Sequence, residues 1–254
     1  MAVSISFRWL LVTFVFLAMQ KCQNEPIALT LAIPKEGFSV VQHQPATSSG
    51  RATNTLYQTP RSIRPEEFGT PELQRFTDSL YAVMVRQAGV GIAANQIGKR
   101  LQIFFIEAKA TNPRYKVLGP VAKQLFINPR ITEVSSGRKN FWHGCLSAAD
   151  EKRGNVATFE WIVYRCQNLD GSWREGRLDG FAAVIFQHEF RHLMGGTYMD
   201  IARHFESKTD LDQKIQQGSL PFFEVASDSL PLLIQGFERD KTVDEFGLKK
   251  QREF

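Results

Sequence analysis

The sequence predicts an α+β fold in which strands surround one central helix. Apolar residues recur at helical spacing through the segment Thr70–Gln87. Three separated runs, LQIFFIEA, KQLFINPRITEVSS and FEWIVYRCQNLDGS, are rich in β-branched and aromatic residues. A second helix, Phe181–Met194, is apolar enough to lie inside the molecule. With 43% hydrophobic and 22% charged residues over 254 positions, the composition is that of a globular chain long enough for one full domain with extensions.

Along the chain, Arg8 precedes the uncharged run WLLVTFVFLAM (Trp9–Met19), and polar residues follow. A short positive region before an apolar stretch of this length reads as a secretory signal peptide over residues 1–22. The run is too short for a stable membrane span, which takes roughly 20 apolar residues. Used as a signal, it would export the chain to the periplasm or the medium; otherwise the chain is cytoplasmic. Three cysteines, Cys22, Cys145 and Cys166, do not make a disulfide scaffold. Residues 42–60 are polar and turn-rich, and read as an extended lead-in or loop. Thr70 suits an N-cap, Pro71 the first helical position, and Leu73, Phe76, Leu80, Val83 and Met84 the buried face. Asp170–Gly171 marks a turn. The net charge of +5 comes from basic residues scattered among acids, as in EKR at 151–153 and ERDK at 238–241. That pattern offers no phosphate-tracking stripe, so nucleic acid is not an expected partner.

The chemistry concentrates in QHEFRHLMGG, Gln187–Gly196. On a helix, His188 and His192 lie one turn apart on one face, where both imidazoles reach one cation. Glu189 beside them can take a proton from water. A third ligand could come from downstream, where His204 and Glu206 occur, or from upstream, where HGCLS (His143–Ser147) supplies Cys145.

In three ordered motifs the chain resembles the peptide deformylase family. GVGIAANQIG (Gly89–Gly98) is similar to its glycine-rich G-x-G-x-A-A-x-Q motif, HGCLS to E-G-C-L-S, and QHEFRHLMGG to Q-H-E-x-D-H-x-x-G. The match runs from about Leu56 to Asp200 and includes RPEEFGTPELQ and FINPRI. The resemblance implies antiparallel and mixed sheets around the helix carrying HExxH. It divides the chain into a lead-in at 23–55, a catalytic domain at 56–208 and a C-terminal extension at 209–254. It implies Cys145, His188 and His192 as ligands of one divalent ion, ferrous iron by resemblance, with zinc or nickel better able to survive an oxidising compartment. Glu189 would be general base and then acid, while Gln96 and the backbone N–H of Leu146 would hold the oxyanion. Val90, Gly91, Phe181, Val184 and Ile185 would line the pocket for a methionine side chain. The expected activity is removal of formyl from N-formylmethionyl peptides. The alternatives are an impaired relative that binds N-blocked peptides, or an exported HExxH zinc protease.

The chain departs from the family pattern near the ligands. His143 stands where a glutamate is usual and Arg191 where an aspartate is usual; Ala157 aligns with an arginine, and the proline after the LS step is absent. An ordinary helix-surface arginine at 191 would point to solvent.

Overall fold

The computed structural model describes residues 32–111, 118–148, 152–217, 224–225 and 230–237. The apolar run Trp9–Met19 and Cys22 lie outside them. Among the described residues no helix is long and apolar enough to cross a membrane.

Helix α1 spans Pro71–Arg86, with the Thr70 side chain accepting from the Leu73 N–H at its start. The anticipated face, Leu73, Phe76, Leu80, Val83 and Met84, is buried, together with Thr77. The chain leaves the helix through Ala88 in a left-handed conformation (φ 51°) and enters strand β1, Gly91–Ala93. Strands β2 (Ile103–Ala108), β3 (Val121–Val134), β6 (Trp161–Gln167) and β7 (Trp173–Asp179) complete a five-stranded sheet in the order β1-β2-β3-β6-β7. A second sheet has the order β8-β5-β4-β9, from β4 (Arg138–His143), β5 (Lys152–Phe159), β8 (His204–Ser207) and β9 (Glu224–Val225). Every strand pair in both sheets is antiparallel, and the parallel contacts are the isolated bridges Arg61–Leu101 and Ala157–Leu232.

The continuous apolar run in β2 has a simple cause. Side chains alternate across a strand. Ile103 and Phe105 pack with α1, while Phe104 and Ile106 pack with helix α2, Gly180–Leu193. Both faces of the sheet are therefore covered here, and no position in the run is left for a polar residue. The rings of Phe104 and Phe126 meet Phe186 of α2 edge-on at 5.1 and 4.9 Å. In β3, Asn128 adopts φ 49° at a bulge, where its side-chain amide pairs with both backbone groups of Ile63 at 2.8 Å. Pro129 follows at the same bulge, where its missing N–H costs no ladder bond.

The chain beyond 208 packs on the domain wherever it is described. Helix α3, Lys208–Gln216, buries Leu211, and β9 pairs with β4. Farther on, Ala157 donates to Pro231 O (3.0 Å) and accepts from the Leu233 N–H (2.8 Å). Leu233 and Ile234 are fully buried, Leu233 against Val156 and Tyr198. Replacing Leu233 by Ala should cost about 2–5 kcal/mol of stability, as truncation of a buried leucine does. Denaturant unfolding checks this, and an unchanged midpoint would mean that the segment does not dock in solution.

Candidate active site

Three structural pieces bring the site together. Helix α2 carries His188, Glu189 and His192; the loop after β4 carries Cys145 to Ser147; the turn after β1 carries Gln96. Helix α2 is held in depth by Gln187. Its amide accepts from the Phe159 N–H at 2.9 Å and donates to Phe159 O and Ala183 O at 3.0 Å. At the other end, Asn95 donates to His192 O at 2.7 Å.

The ligand atoms of Cys145, His188 and His192 all lie within 4.8 Å of one another, and Cys145 Sγ is 3.2 Å from His192 Nε2. A four-coordinate ion with bonds of about 2.0–2.3 Å needs ligand atoms roughly 3–4 Å apart, so the three can close on one ion with small adjustment. The electrostatics agree. Burial, with Glu189 nearby, pushes the Cys145 thiol up to about 12. Burial and Arg153 bring His188 down to about 4, and burial with the neighbouring His188 and Arg191 holds His192 well below the ordinary range. Burial alone raises Glu189 well above the usual carboxylate range, and its Oε2 has no hydrogen-bond partner among the described residues. A site of neutral imidazoles, a thiol and an unpartnered carboxyl is one that a cation would complete, releasing the thiol proton as it binds. The downstream alternatives do not join it. His204 is exposed on β8, and Glu206 bonds Lys214 at 3.0 Å.

Gln96 is fixed in orientation. Its Oε1 accepts from the Ala93 N–H at 2.7 Å, which turns Nε2 toward Cys145 Sγ (3.3 Å) and Ser147 Oγ (3.2 Å). The glycines of GVG are explained by close approach. A Cβ at Gly91 would collide with the Glu189 carboxylate, and one at Gly89 would press on the Leu146 side chain.

A cavity of about 890 Å³ opens beside these groups, at the upper end of small-ligand pockets. Val90, Gly91, Phe181, Val184 and Ile185 all line it, as do Gln96, Cys145, Leu146, His188 and Glu189, while His192 is buried behind them. The lead-in also contributes. Val41 donates to Gln96 O and His43 to Ser147 O, each at 2.7 Å, and Phe38, Val40 and Gln42 form one wall.

Arg153, on β5, is a site residue that the sequence did not single out. Its guanidinium occupies the space where Gly144 lacks a side chain, and it acts on His143, His188 and Cys145. The aligned arginine position, Ala157, is instead buried under the C-terminal segment, so a cation reaches the site from four residues earlier in the strand. Arg191 does not point to solvent. It is 7% exposed, its guanidinium packs where Gly196 leaves room, and Asp200 supplies the nearby negative charge. Asp200 in turn pairs with Arg51 at 2.7 Å.

The sequence model of the polypeptide deformylase family matches residues 52–208. A curated peptide deformylase of Leptospira biflexa is 30% identical over 152 residues, 57% of this chain and 80% of its own length. Peptide deformylase 2 of Shewanella oneidensis is 38% identical over 136 residues, 54% of this chain and 74% of its own. Among solved structures, the Met-Ala-Ser-bound class I type b peptide deformylase of Acinetobacter baumannii superposes with a TM-score of 0.58 at 29% identity, covering 64% of this chain and 96% of that one. A probable peptide deformylase from Synechococcus phage S-SSM7 gives 0.53 at 27%, covering 65% and 99%.

The Gln187 clamp yields a measurable consequence. Gln187→Ala leaves the N–H and C=O of buried Phe159 without their partner, at about 1–3 kcal/mol for each group. A loss of that order should appear in denaturant unfolding; a loss below about 0.5 kcal/mol would show that water replaces the amide.

Proposed function

The chain belongs to the peptide deformylase family, and on that premise we propose that Cys145, His188 and His192 hold one divalent metal ion at which the formyl amide of N-formylmethionyl peptides is hydrolysed. One observation carries the residue assignment: a Cys-His-His cluster and an unpartnered buried carboxyl meet at the wall of a largely preformed cavity. When bound, such an ion supplies Lewis acidity that polarises the formyl carbonyl and acidifies water.

The protein's own groups do the rest. Gln96 Nε2, already held as a donor, and the Leu146 N–H offer hydrogen bonds to the oxygen that gains charge. Glu189 takes a proton from the attacking water and hands it to the departing amine nitrogen as the C–N bond breaks, leaving formate and a free N-terminus. Val90, Phe181, Val184 and Ile185 provide apolar surface for the methionine side chain. Strand β1 is the last strand on its side of the sheet, so an extended peptide can lie along Gly89–Gly91. The neighbour from Acinetobacter baumannii, solved with Met-Ala-Ser, supports a peptide in this groove.

The catalytic unit is assigned to 56–208, with Phe38, Val40 and Gln42 of the preceding lead-in (23–55) in a wall of its groove. Ferrous iron is the assigned ion by family; in an exported chain, as the run Trp9–Met19 favours, zinc or nickel would resist oxidation better. A protein that only bound blocked peptides would have no use for Glu189 at this place.

Purified protein should carry close to one metal per chain, and Cys145→Ala should lose tight binding; unchanged metal content in that variant would remove Cys145 from the ligand set. With formyl-Met-Ala-Ser as substrate, Glu189→Gln should keep the metal and lose turnover by roughly 10²–10⁴-fold. Near-normal turnover of the variant would take Glu189 out of the mechanism, and no turnover by the metal-loaded parent chain would leave the binding-only reading.

A further inference from the structure

The side chain that faces ligand His188 is another histidine. His143 Nδ1 lies 3.3 Å from His188 Nδ1, and the two rings are nearly parallel at 19°, with centroids 5.4 Å apart. Phe141 and Tyr198 pack on the His143 ring, at 5.2 and 6.2 Å between centroids. The residue is 2% exposed. His143 is not among the converging ligand atoms of Cys145, His188 and His192.

Two Nδ1 atoms at this separation share one proton, and the ligand assignment sets its direction: a His188 that turns an Nε2 lone pair to an ion must carry its proton on Nδ1. With His188 donating from Nδ1, its Nε2 carries the lone pair for an ion, and His143 carries its own proton on Nε2. That Nε2 has no hydrogen-bond partner among the described residues. An Nδ1 that accepts this bond carries no proton, so in this arrangement the His143 ring is a neutral acceptor.

We propose that His143 is a positioning residue of the metal centre: its neutral imidazole accepts the Nδ1–H of His188 and sets that ring with Nε2 toward the ion. The proposal rests on the ligand set given under Proposed function. Ligating histidines ordinarily donate to a carboxylate, a carbonyl or water, and a carboxylate pulls on the N–H hardest and makes the opposite nitrogen the stronger ligand. A neutral acceptor pulls less. Here it also stands in a pocket that Arg153 lines. The centre is therefore oriented without an added negative charge, and the thiolate of Cys145 is left as its main anionic donor. His188 is held in place yet binds less tightly than it would against a carboxylate.

The test reads metal binding without substrate. Zn²⁺ affinity is measured by chelator competition, and the ligand field by the visible spectrum of the Co²⁺-loaded protein, for the parent chain and for His143→Ala, His143→Gln and His143→Glu. His143→Ala should weaken Zn²⁺ binding by about 10–100-fold and change the Co²⁺ bands. His143→Gln, which keeps a neutral acceptor, should recover most of the loss, and His143→Glu should bind Zn²⁺ more tightly than the parent. Parent-like affinity and spectrum in His143→Ala would overturn the proposal. So would a folded Gln and Glu pair that both bind as weakly as His143→Ala. Should His143→Ala fail to fold, the pair decides alone: Glu tighter than Gln supports the role, and equal or weaker overturns it. A parent chain that binds no Zn²⁺ would instead overturn the ligand set, a separate outcome.

Discussion

The structure is governed by the burial of one helix that is only partly apolar. Within α2, Gln187, His188, Glu189, Arg191 and His192 are all buried alongside Phe186, Phe190 and Leu193. Polar groups can be taken from water only where partners are supplied. Much of the surrounding architecture supplies them. Phe159 of β5 pairs with Gln187, Asn95 caps His192 O, and Asp200 provides charge for Arg191. On this helix Glu189 Oε2, Arg191 Nε and His192 Nδ1 are left without a hydrogen-bond partner among the described residues. The apolar side of the same helix, through Phe186, anchors it to β2 and β3 and so fixes where that chemistry happens.

Small residues around the helix are the counterpart of its crowded polar face. Gly91 gives way to the Glu189 carboxylate, Gly196 to the Arg191 guanidinium, and Gly144 to that of Arg153. Each close approach sets a side chain from one element against the backbone of another, which holds β1, the β4 loop and the chain after α2 in fixed relation. The charge arrangement is correspondingly particular to this chain. Arg191 and Arg153 bring positive charge close to the proposed ligands, and His143 meets His188 without bringing any negative charge. Residues 191 and 143 thus change together in the direction of less negative surroundings than the family motifs would supply.

What was legible in the sequence was what is local. The spacing of His188 and His192, the N-cap Thr70 and the apolar face of α1 follow from helix periodicity, and the run in β2 from propensity. Strands β4 and β5 were not legible as strands: RKNFWH and KRGNVATF mix charge, glycine and small residues, and their pairing is decided by partners elsewhere in the chain. The convergence of Cys145 with the two histidines was suggested by motif and needed the fold to bring Cys145 and His192, 47 residues apart, down to contact. Arg153 escaped because alignment by count pointed to Ala157, and only the register of β5 shows which side chain reaches the site. The contact between His143 and His188 was invisible for the same reason. Each residue is ordinary alone, and their meaning is in a 3.3 Å separation.

The docking of Pro231–Phe237 on β5 bears on the order in which the molecule is completed during synthesis. Ala157 gains its outer backbone partners from Pro231 and Leu233, more than 70 residues later in the chain. A nascent chain whose synthesis has not yet passed this segment holds both sheets and the elements bearing Cys145, His188 and His192, but not the cover over Val156 and Ala157. Contacts of such long sequence separation form late, because the loop entropy must be met before they return any energy. Strand β5 would then be the last part of the second sheet to be sealed, after the helix bearing His188 and His192 has already left the ribosome. Maturation of the metal centre and closure of the domain would in that order be separate events.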